Sequence, residues 1–528
     1  MSQSAVSDRD HALDATRAAA LLLGVLFHAA WSFVPRSVGA PVIDRAANEF
    51  FGWFFFASHT FRMQLFFLIA GFFGRLLLQR KRYRGFAAHR FKRIAVPLVV
   101  GWLILFPFYL LARAWCVQIA LGRPFQWQMV AASYHRWFVE GQILIPRSEG
   151  GAFGLAHLWF LYFLLWFYGL TLLFRFLTDR FFTERAFQPV DVLTAHVMTS
   201  PWSVVWLSPI FGIVMYFMDG WFGVTTPLHS LIPFLPSFLL YGAFFAFGWI
   251  LHRQANLLRY AAHRWKWQLP VGIAFTVVLS TVFAVMTDTG RVNAEYPRIT
   301  ASQIKDWPAF LDRLRNPDGG ESHPVLHALR ERVMRAGNSS FFHSLSDRPS
   351  RSELERACSV INRALDAPLV AGDGAVTGDG LLSYHRKLLE AALPGILVQD
   401  PETWVWYRPI RVAYSVGYAL TTWLLVLGSL NLFQDRFPHH SPVWRYLADS
   451  SYWVYLIHLP VVVALQGLIA PWMMPAILKF SLLLFVSGIL LFGSYHYLVR
   501  STFIGKALNG RAYPFRPWPF SRCRSGSG

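Results

Sequence analysis

Three ionisable residues lie inside the first hydrophobic segment of the chain, LDATRAAALLLGVLFHAAW: Asp14, Arg17 and His28. Ionisable side chains are costly in hydrocarbon, and they mark functional interior surfaces of membrane proteins. On a helix, the step from Arg17 to His28 returns to within about 20° of the same face, about 16 Å further along the axis. Asp14 precedes Arg17 by one turn on that face. The spacing predicts one helix face that carries an acid, a base and a histidine, the groups needed for proton transfer.

A second polar group lies in the next hydrophobic segment, ASHTFRMQLFFLIAGFFG. Arg62 lies roughly 16 Å from the outer end of this segment, near the bilayer centre and at a depth comparable with that of His28. His59 precedes Arg62 by one turn on the same face. A cation at this depth needs an anion or a ring of acceptors. Arg62 therefore either binds an anionic group of a substrate or is paired structurally with a carboxylate or with backbone carbonyls.

A basic run ends in Arg90-Phe91-Lys92-Arg93, immediately before the third hydrophobic segment. Such runs commonly anchor a membrane protein on its cytoplasmic side. Anchoring is the commoner explanation, and the alternative is that Arg90 and Arg93 hold a phosphorylated cofactor arriving from the cytoplasm, because arginine makes bidentate contacts with phosphate.

Two further motifs place histidines beside or inside hydrophobic segments. His157 and Trp159 open the fourth segment, which predicts a position near the outer surface. Tryptophan is typical of the interfacial aromatic belt, and the histidine either has a structural role or orders a sugar or a catalytic partner. His458 lies inside a later segment, on one helical face with Ser451 and Tyr455. It is either an interhelical hydrogen-bonding group or part of a site.

The composition is that of a polytopic membrane protein, because 55% of the residues are hydrophobic and only 15% are charged. The net charge of +20 does not indicate nucleic-acid binding, since the basic residues are concentrated in particular connections, at 79–93, 251–267 and from Arg500 onward. This distribution follows the positive-inside rule and places all three connections in the cytoplasm. The three cysteines, Cys116, Cys358 and Cys523, form neither a disulfide framework nor a metal motif.

Hydropathy predicts spans of about twenty residues at ten places. They are 13–34, 50–78, 94–114, 154–178, 201–218, 232–252, 268–287, 409–432, 447–470 and 475–498. With the N-terminus inside, every strongly basic connection falls on the cytoplasmic side, which supports this number of spans. The first span has no cleavage site for a signal peptidase, so we expect it to remain as a helix. The predicted fold is all-α, a polytopic membrane helical bundle with a helical periplasmic insertion.

The insertion is the polar stretch from about 291 to 406, where the 3.6-residue apolar period predicts amphipathic helices between glycine-rich loops. It is either a loop packed over the membrane domain or a platform for a large external acceptor. The predicted domains are a first membrane part at 1–288, the insertion at 289–408, a second membrane part at 409–500 and a basic cytoplasmic tail at 501–528.

These motifs resemble those of the acyltransferase-3 family of integral membrane proteins. The resemblance rests on Arg17 followed by His28, on Phe-Arg-Met-Gln-Leu-Phe-Phe at 61–67, on the Arg90 and Arg93 pair, on His-Leu-Trp-Phe-Leu at 157–161 and on Tyr-Leu-Ile-His at 455–458. The motifs occur in family order and cover most of the membrane region. Within the family, the chain is most similar to the succinyltransferases of periplasmic glucans, from which the insertion departs.

The resemblance implies transfer of an acyl group, expected to be succinyl, from cytoplasmic acyl-CoA to hydroxyls of a periplasmic glucan, across a bacterial inner membrane with both termini in the cytoplasm. Succinyl-CoA or acetyl-CoA would be a co-substrate, with no bound cofactor and no metal. Neutral His28 is then the expected general base, with Arg17 and Asp14 as catalytic partners. The expected substrate-binding residues are Arg62, His59, Arg90, Arg93, His157, Trp159 and His458. Other membrane proteins of glucan synthesis are candidate partners.

Two other functions also fit a polar membrane interior. One is O-acetylation of another envelope glycan, such as an O-antigen, an exopolysaccharide or a lipid-linked sugar. The other is transport through a central polar pathway. The sequence has no paired broken helices and no internal repeat, and the face shared by Arg17 and His28 suits chemistry better than transport.

Overall fold

The computed structural model describes residues 11–34, 40, 42, 44–120, 127–144, 153–181, 183–218, 220–226, 230–288, 406–510 and 513–515. Their α-helices are α1 His11–Ala30, α2 Glu49–Arg90, α3 Val96–Ala120, α4 Trp127–Tyr134, α5 Trp159–Phe181, α6 Gln188–Thr199, α7 Ser203–Tyr216, α8 Leu235–Leu251, α9 Asn256–Tyr260, α10 Trp265–Asp288, α11 Tyr407–Arg436, α12 Pro442–Ile469, α13 Ala476–Ser494 and α14 Phe503–Asn509. The protein is a helical membrane bundle, as predicted.

Each predicted span coincides with a helix of the described chain. Eight helical segments there are long and apolar enough to cross a bilayer, and one of them, Glu49–Cys116, is 68 residues long and contains the second and third predicted spans. The span predicted at 201–218 corresponds to α7, which is too short alone and qualifies only together with α6, bent from it by 114°. We interpret α6 as an amphipathic helix along the surface, since much of it is exposed.

The basic connection predicted at 79–93 is helical, which the hydropathy did not indicate. Helix α2 runs to Arg90, with one non-helical residue, Arg82 (φ 54°), at a kink. A π-helical turn, Phe91–Ala95, then leads into α3. At 1.5 Å per residue α2 is about 63 Å long, roughly twice the hydrocarbon thickness. Its basic end therefore extends beyond the hydrocarbon region of the bilayer.

Helix α12 packs against both α1 and α3, while α1 also packs against α2. Helix α2 in turn packs along α8, and α11 packs against α7 and α10. The crossing of α2 and α8 is very close: a Cβ at Gly71 would lie 1.9 Å from the Phe245 carbonyl oxygen, and one at Gly248 would lie 1.9 Å from that of Leu68. Small residues allow such backbone contact between membrane helices. This crossing fixes α2, and with it Arg62, in the bundle.

A buried ion pair closes the bundle at the end where α1 stops. Lys479 of α13 donates to both carboxylate oxygens of Asp44 at 2.9 Å and to the Ala470 carbonyl at 3.1 Å. The two side chains are 0% and 1% exposed. The pair ties the segment between α1 and α2 to the far side of the bundle.

Of the three cysteines, Cys116 is free and buried, and its thiol donates to the Val463 carbonyl. Cys358 and Cys523 lie outside the described residues, as do 289–405 and 516–528. The predicted helical insertion therefore falls almost entirely outside them. Within the predicted tail, α14 is described.

Candidate functional site

The first helix presents its three ionisable residues much as the spacing predicts. Arg17 pairs with Asp14 at 3.4 Å within α1. Its guanidinium also donates to the Ala448 carbonyl of α12 at 3.3 Å. Arg17 thereby links the start of α1 to the start of α12, well away from His28.

His28 lies at the other end of the same face, where α1 meets α12. Its ring is 5.2 Å from the His458 ring, measured between centroids, and 5.1 Å from that of Phe27. The side chain is half-buried, and its Nδ1 is enclosed and has no hydrogen-bond partner among the described residues. Gln466 of α12 donates to the carbonyls of His28 and Ala29 at 2.8 and 3.1 Å. Because these carbonyls end α1 and lack partners within the helix, Gln466 holds the backbone of His28 in place.

Arg62 is the least satisfied charged group in the described bundle interior. It is 6% exposed, yet its Nε and Nη1 are buried and form no hydrogen bond to any described residue. The guanidinium lies over the Phe27 ring at 4.0 Å, and its Nη1 would be 3.9 Å from a Cβ at Gly24. Arg62 thus reaches the level of His28, as the depth estimate predicted. The described residues do not supply the carboxylate or carbonyls that a purely structural pairing requires.

His157 lies much deeper than the sequence predicted, so its placement near the outer surface was wrong. Its Nε2 donates to the Leu456 carbonyl in the middle of α12 at 2.8 Å, and its ring is 5.0 Å from that of His458. The Tyr455 hydroxyl donates to the His157 carbonyl at 2.7 Å. Ala156, immediately before it, has a φ of 46°, a strained conformation for a residue with a Cβ. The chain dips toward the bundle centre before α5 begins.

Pro460 explains how α12 holds this histidine, and it is the site residue that the sequence analysis missed. In a helix the Leu456 carbonyl would accept from the amide of residue 460, but proline has no N–H. The freed carbonyl accepts from His157 instead. Next to this carbonyl along α12, Nδ1 of His458 donates to the Tyr455 carbonyl at 2.7 Å. A proline two residues after His458, in the middle of a predicted span, was the available signal.

The remaining predicted residues of this region lie around the histidines or in the core. His59 is 4% exposed, with its ring 4.6 Å from Phe222. Trp159 is 5% exposed and packs against Tyr241 at 5.4 Å between ring centroids. Trp159 therefore belongs to the aromatic core that supports the site. We call His28, Arg62, His157 and His458 the histidine chamber.

Arg90 and Arg93 form a second group, on the side of the bundle where α12 begins. The Arg90 guanidinium lies 4.2 Å from the centre of the Tyr168 ring, and its buried Nε has no hydrogen-bond partner in the described chain. The Tyr452 hydroxyl donates to the Arg93 carbonyl. Tyr452 precedes His458 by six residues on α12, so this group lies only about 9 Å along the helix from the chamber.

Helix α12 therefore gathers the predicted motifs along its length. Ala448, Tyr452, Leu456 and Gln466 contact, in this order, Arg17, Arg93, His157 and the backbone of His28. The arrangement puts imidazole bases and an unpaired cation in one part of the bundle interior, about 9 Å along α12 from the Arg90 and Arg93 pair, which is suited to proton transfer at an electrophile that bears negative charge. Within the described residues no group of three His, Cys, Asp or Glu is arranged to hold a metal ion.

Comparison with known proteins identifies relatives of this arrangement. The model of the acyltransferase domain (acyltransferase-3) matches residues 10–310. Glucans biosynthesis protein C of Escherichia coli (strain SMS-3-5 / SECEC) is 28% identical over 156 residues, 29% of this chain and 36% of that protein. The protein of the same name from Salmonella typhi is 28% identical over 158 residues, 30% of this chain and 37% of its own length. The chain thus spans little more than a third of these curated relatives. No solved structure matches it significantly.

Proposed function

This chain belongs to the acyltransferase-3 family, and from this premise we propose that it transfers an acyl group, expected to be succinyl, from cytoplasmic acyl-CoA to a hydroxyl of a periplasmic glucan. The relatives named for glucan biosynthesis support the choice of acceptor. The enzyme would work in a bacterial inner membrane, with the start of α1 and the end of α13 on the cytoplasmic side. Other glucan-synthesis membrane proteins would be its partners.

The observation that carries the proposal is the histidine chamber. The imidazole of His28 contacts the Phe27 ring, over which the Arg62 guanidinium lies at 4.0 Å, and no described residue neutralises that guanidinium. Arg62 is 94% buried, which is costly for a cation without a partner. We therefore expect an anionic group of the substrate to bind beside it.

The donor is proposed to bind at Arg90 and Arg93. The Arg90 guanidinium lies over the Tyr168 ring at 4.2 Å, and its terminal nitrogens would donate to phosphate oxygens. The short distance along α12 from this pair to His458 would let the thioester reach the chamber while the phosphates remain at the cytoplasmic entrance. Asp14 and Arg17 would fix α1 against α12 on that side.

The reaction is an attack of the sugar hydroxyl on the thioester carbonyl. Neutral His28 accepts the hydroxyl proton as the new C–O bond forms, and the proton then passes to the sulfur as the C–S bond breaks. A positioned base of this kind contributes about 10²–10⁴-fold in rate. Arg62 would pair with the distal carboxylate of a succinyl group, because that carboxylate is costly to bury without a cation beside it.

Mass spectrometry of envelope glycans tests the reaction. A strain that lacks the protein should lose succinyl esters from its periplasmic glucan, and the intact gene should restore them. Loss of acetyl esters, or of esters on another glycan, would instead establish one of the alternative acceptors or donors. Unchanged esterification of every glycan would overturn the proposed function.

The variant His28→Ala tests the base directly. We expect it to abolish esterification, to below about 1% of the wild-type level, because the hydroxyl then has no proton acceptor. His11→Ala, at the opposite end of the same helix, is the matched control and should retain full esterification. Both variants should accumulate in the membrane at the wild-type level. Full modification by His28→Ala would remove the general-base assignment.

A further inference from the structure

The two nitrogens of His28 are in different surroundings. Nδ1 is enclosed and has no hydrogen-bond partner, although the side chain as a whole is only half-buried. Its accessible part therefore does not include Nδ1. A neutral imidazole carries one N–H and one lone pair, so a general base needs an acceptor for the N–H on the nitrogen opposite to the one that reacts. Gln466 donates to the His28 carbonyl and so holds only the backbone of His28. The ring needs an acceptor of its own.

The ring of His458, 5.2 Å from that of His28 between centroids, can supply this acceptor. Its Nδ1 contacts the Tyr455 carbonyl at 2.7 Å, and since a carbonyl only accepts, Nδ1 carries the hydrogen. In the neutral ring Nε2 therefore bears the lone pair, on the side turned away from the helix's own backbone. The His28 ring lies 5.2 Å away between centroids. Hydrogen bonds within catalytic groups are often long in the absence of substrate and shorten in its complex.

We propose that His458 is a positioning residue whose Nε2 accepts the Nδ1–H of His28, so that Nε2 of His28 is directed at the acceptor hydroxyl as the base. This inference rests on the proposed function and deepens it. When His28 takes the hydroxyl proton, the same contact stabilises the imidazolium that forms. In this role His458 does not touch the substrate, unlike the substrate-binding role that the family resemblance implied for it. The chain from His28 through His458 to the Tyr455 carbonyl does the work that a carboxylate does in other base pairs.

The groups that face His458 from its surroundings leave it free for this role. The His157 ring, 5.0 Å away at the start of α5, has its N–H committed to the Leu456 carbonyl. The Tyr455 ring, 6.2 Å away on α12, has its hydroxyl committed to the His157 carbonyl. Nε and Nη1 of Arg62, on α2, make no hydrogen bond to any described residue. No carboxylate of the described residues pairs with His28, so an imidazole is the acceptor available to it.

Two conservative variants separate this role from a structural one. The amide of Asn is two bonds from Cβ, as is Nδ1 of histidine, so His458→Asn can keep the bond to the Tyr455 carbonyl but offers no acceptor at the Nε2 position. The amide oxygen of Gln lies one bond further out, so His458→Gln keeps an acceptor toward His28 and gives up the bond to Tyr455. A merely structural histidine predicts the opposite order of activity from a positioning one.

The measurement uses inside-out membrane vesicles that contain the full chain, with radiolabelled succinyl-CoA and acetyl-CoA as probes and labelled glycan ester as the product. We expect His458→Asn and His458→Ala to lower the maximal rate by about 10²-fold and His458→Gln to stay within about tenfold of wild type. The KM for acyl-CoA should not change, because the donor phosphates bind elsewhere. The pH at which the rate is half-maximal should shift in His458→Gln, since amide and imidazole stabilise the imidazolium differently.

His496→Ala is the matched control, because His496 is equally buried, at 4% exposure, but lies on the far side of α12 beside Tyr446. It should keep the wild-type rate, and thermal unfolding in detergent reports whether each variant folds. An active Asn variant with an inactive Gln variant, or wild-type rates and pH profiles in both, would overturn the role of His458 while His28→Ala remains inactive. Wild-type vesicles that form no labelled ester would instead contradict the proposed function itself.

Discussion

At the scale of single residues, the most informative side chains are those buried without a partner. Arg62 is such a residue in the described chain, since its guanidinium meets an aromatic face but no acceptor. A cation–π contact compensates only part of the cost of removing a guanidinium from water. The residual cost is the reason to expect an anionic ligand beside Phe27, within reach of His28.

Replacement of Arg62 tests which anion it binds. Arg62→Gln should lower the use of succinyl-CoA by about 10²-fold or more, because an unpaired buried carboxylate costs several kcal/mol. It should change the use of acetyl-CoA by less than about threefold, since an acetyl group has no distal charge. Initial rates with the two labelled donors in inside-out vesicles measure the difference.

Tyr162→Phe is the matched control for this measurement. Its hydroxyl binds the Leu231 carbonyl at the exposed surface and takes no part in the chamber. It should leave the ratio of the two donor rates unchanged. An equal loss of both donors in Arg62→Gln would rule out the carboxylate role.

At the scale of elements, α12 is the organising helix, and a proline gives it this capacity. In a regular helix each carbonyl already accepts from the amide four residues further along the chain. Pro460 leaves the Leu456 carbonyl open, and His157 occupies it. The sequence motif around His458 therefore includes the proline that follows it.

The substitution Pro460→Ala restores an amide that competes for the Leu456 carbonyl. We expect the maximal rate of ester formation to fall by about tenfold or more, because misplacement of a site residue by about 1 Å can cost 10²-fold. The temperature of unfolding in detergent should not fall, since alanine favours the helix. Pro107→Ala, in the middle of α3, is the control and should keep its rate. Unchanged activity of Pro460→Ala would show that the His157 bond is dispensable.

The end of α14 lies close to Arg93, one of the two arginines at which the donor is proposed to bind. Gly510 adopts a left-handed conformation (φ +75°), and a Cβ there would lie 2.3 Å from Nη2 of Arg93. We expect Gly510→Ala to raise the KM for acyl-CoA several-fold, because the added Cβ forces the Arg93 side chain to move. The left-handed backbone conformation would cost a further ~1–2 kcal/mol in an alanine. Donor titration in inside-out vesicles measures this effect.

Gly141→Ala provides the control for backbone strain alone. Its φ is +70°, and no atom lies within 4 Å of the added Cβ. It should leave the KM for acyl-CoA unchanged. An equal effect of both substitutions would mean that the contact with Arg93 is not responsible.

At the scale of the whole molecule, the bundle has a basic end, formed by the last turns of α2, and an end closed by the pair of Lys479 and Asp44. The pair is fully buried and shares its charges with the backbone: Asp44 accepts from the Ala46 amide and Lys479 donates to the Ala470 carbonyl. It holds the segment that follows His28 against α13, so the position of the chamber depends on it indirectly.

Removal of one partner should destabilise the protein strongly. Lys479→Met should lower the free energy of unfolding by about 3–5 kcal/mol, because it leaves the Asp44 carboxylate buried and uncompensated. The double variant Lys479→Met with Asp44→Asn should recover most of this loss, since no net charge stays buried. Thermal unfolding in detergent measures both. A double variant no more stable than the single one would contradict this explanation.

The sequence by itself determined the helical membrane class, the positions of the spans other than that at 201–218, and the types of residue in the site. Hydropathy over about twenty residues is a local property, and the cost of burying Asp14, Arg17, His28 and Arg62 does not depend on the fold. The helical period also placed Asp14 beside Arg17 correctly. These features depend only on residues that lie close together in the sequence.

Only the tertiary structure decided which of these residues meet. The depth of His157 depends on a dip of the chain at Ala156 and on a carbonyl of α12 that lies hundreds of residues away in sequence. That Arg62 has no described acceptor, and that Gln466 holds the end of α1, are likewise properties of packed helices. Hydropathy assigns a segment to the membrane but not its partners, because the contacts between helices depend on crossings such as that of Gly71 with Gly248.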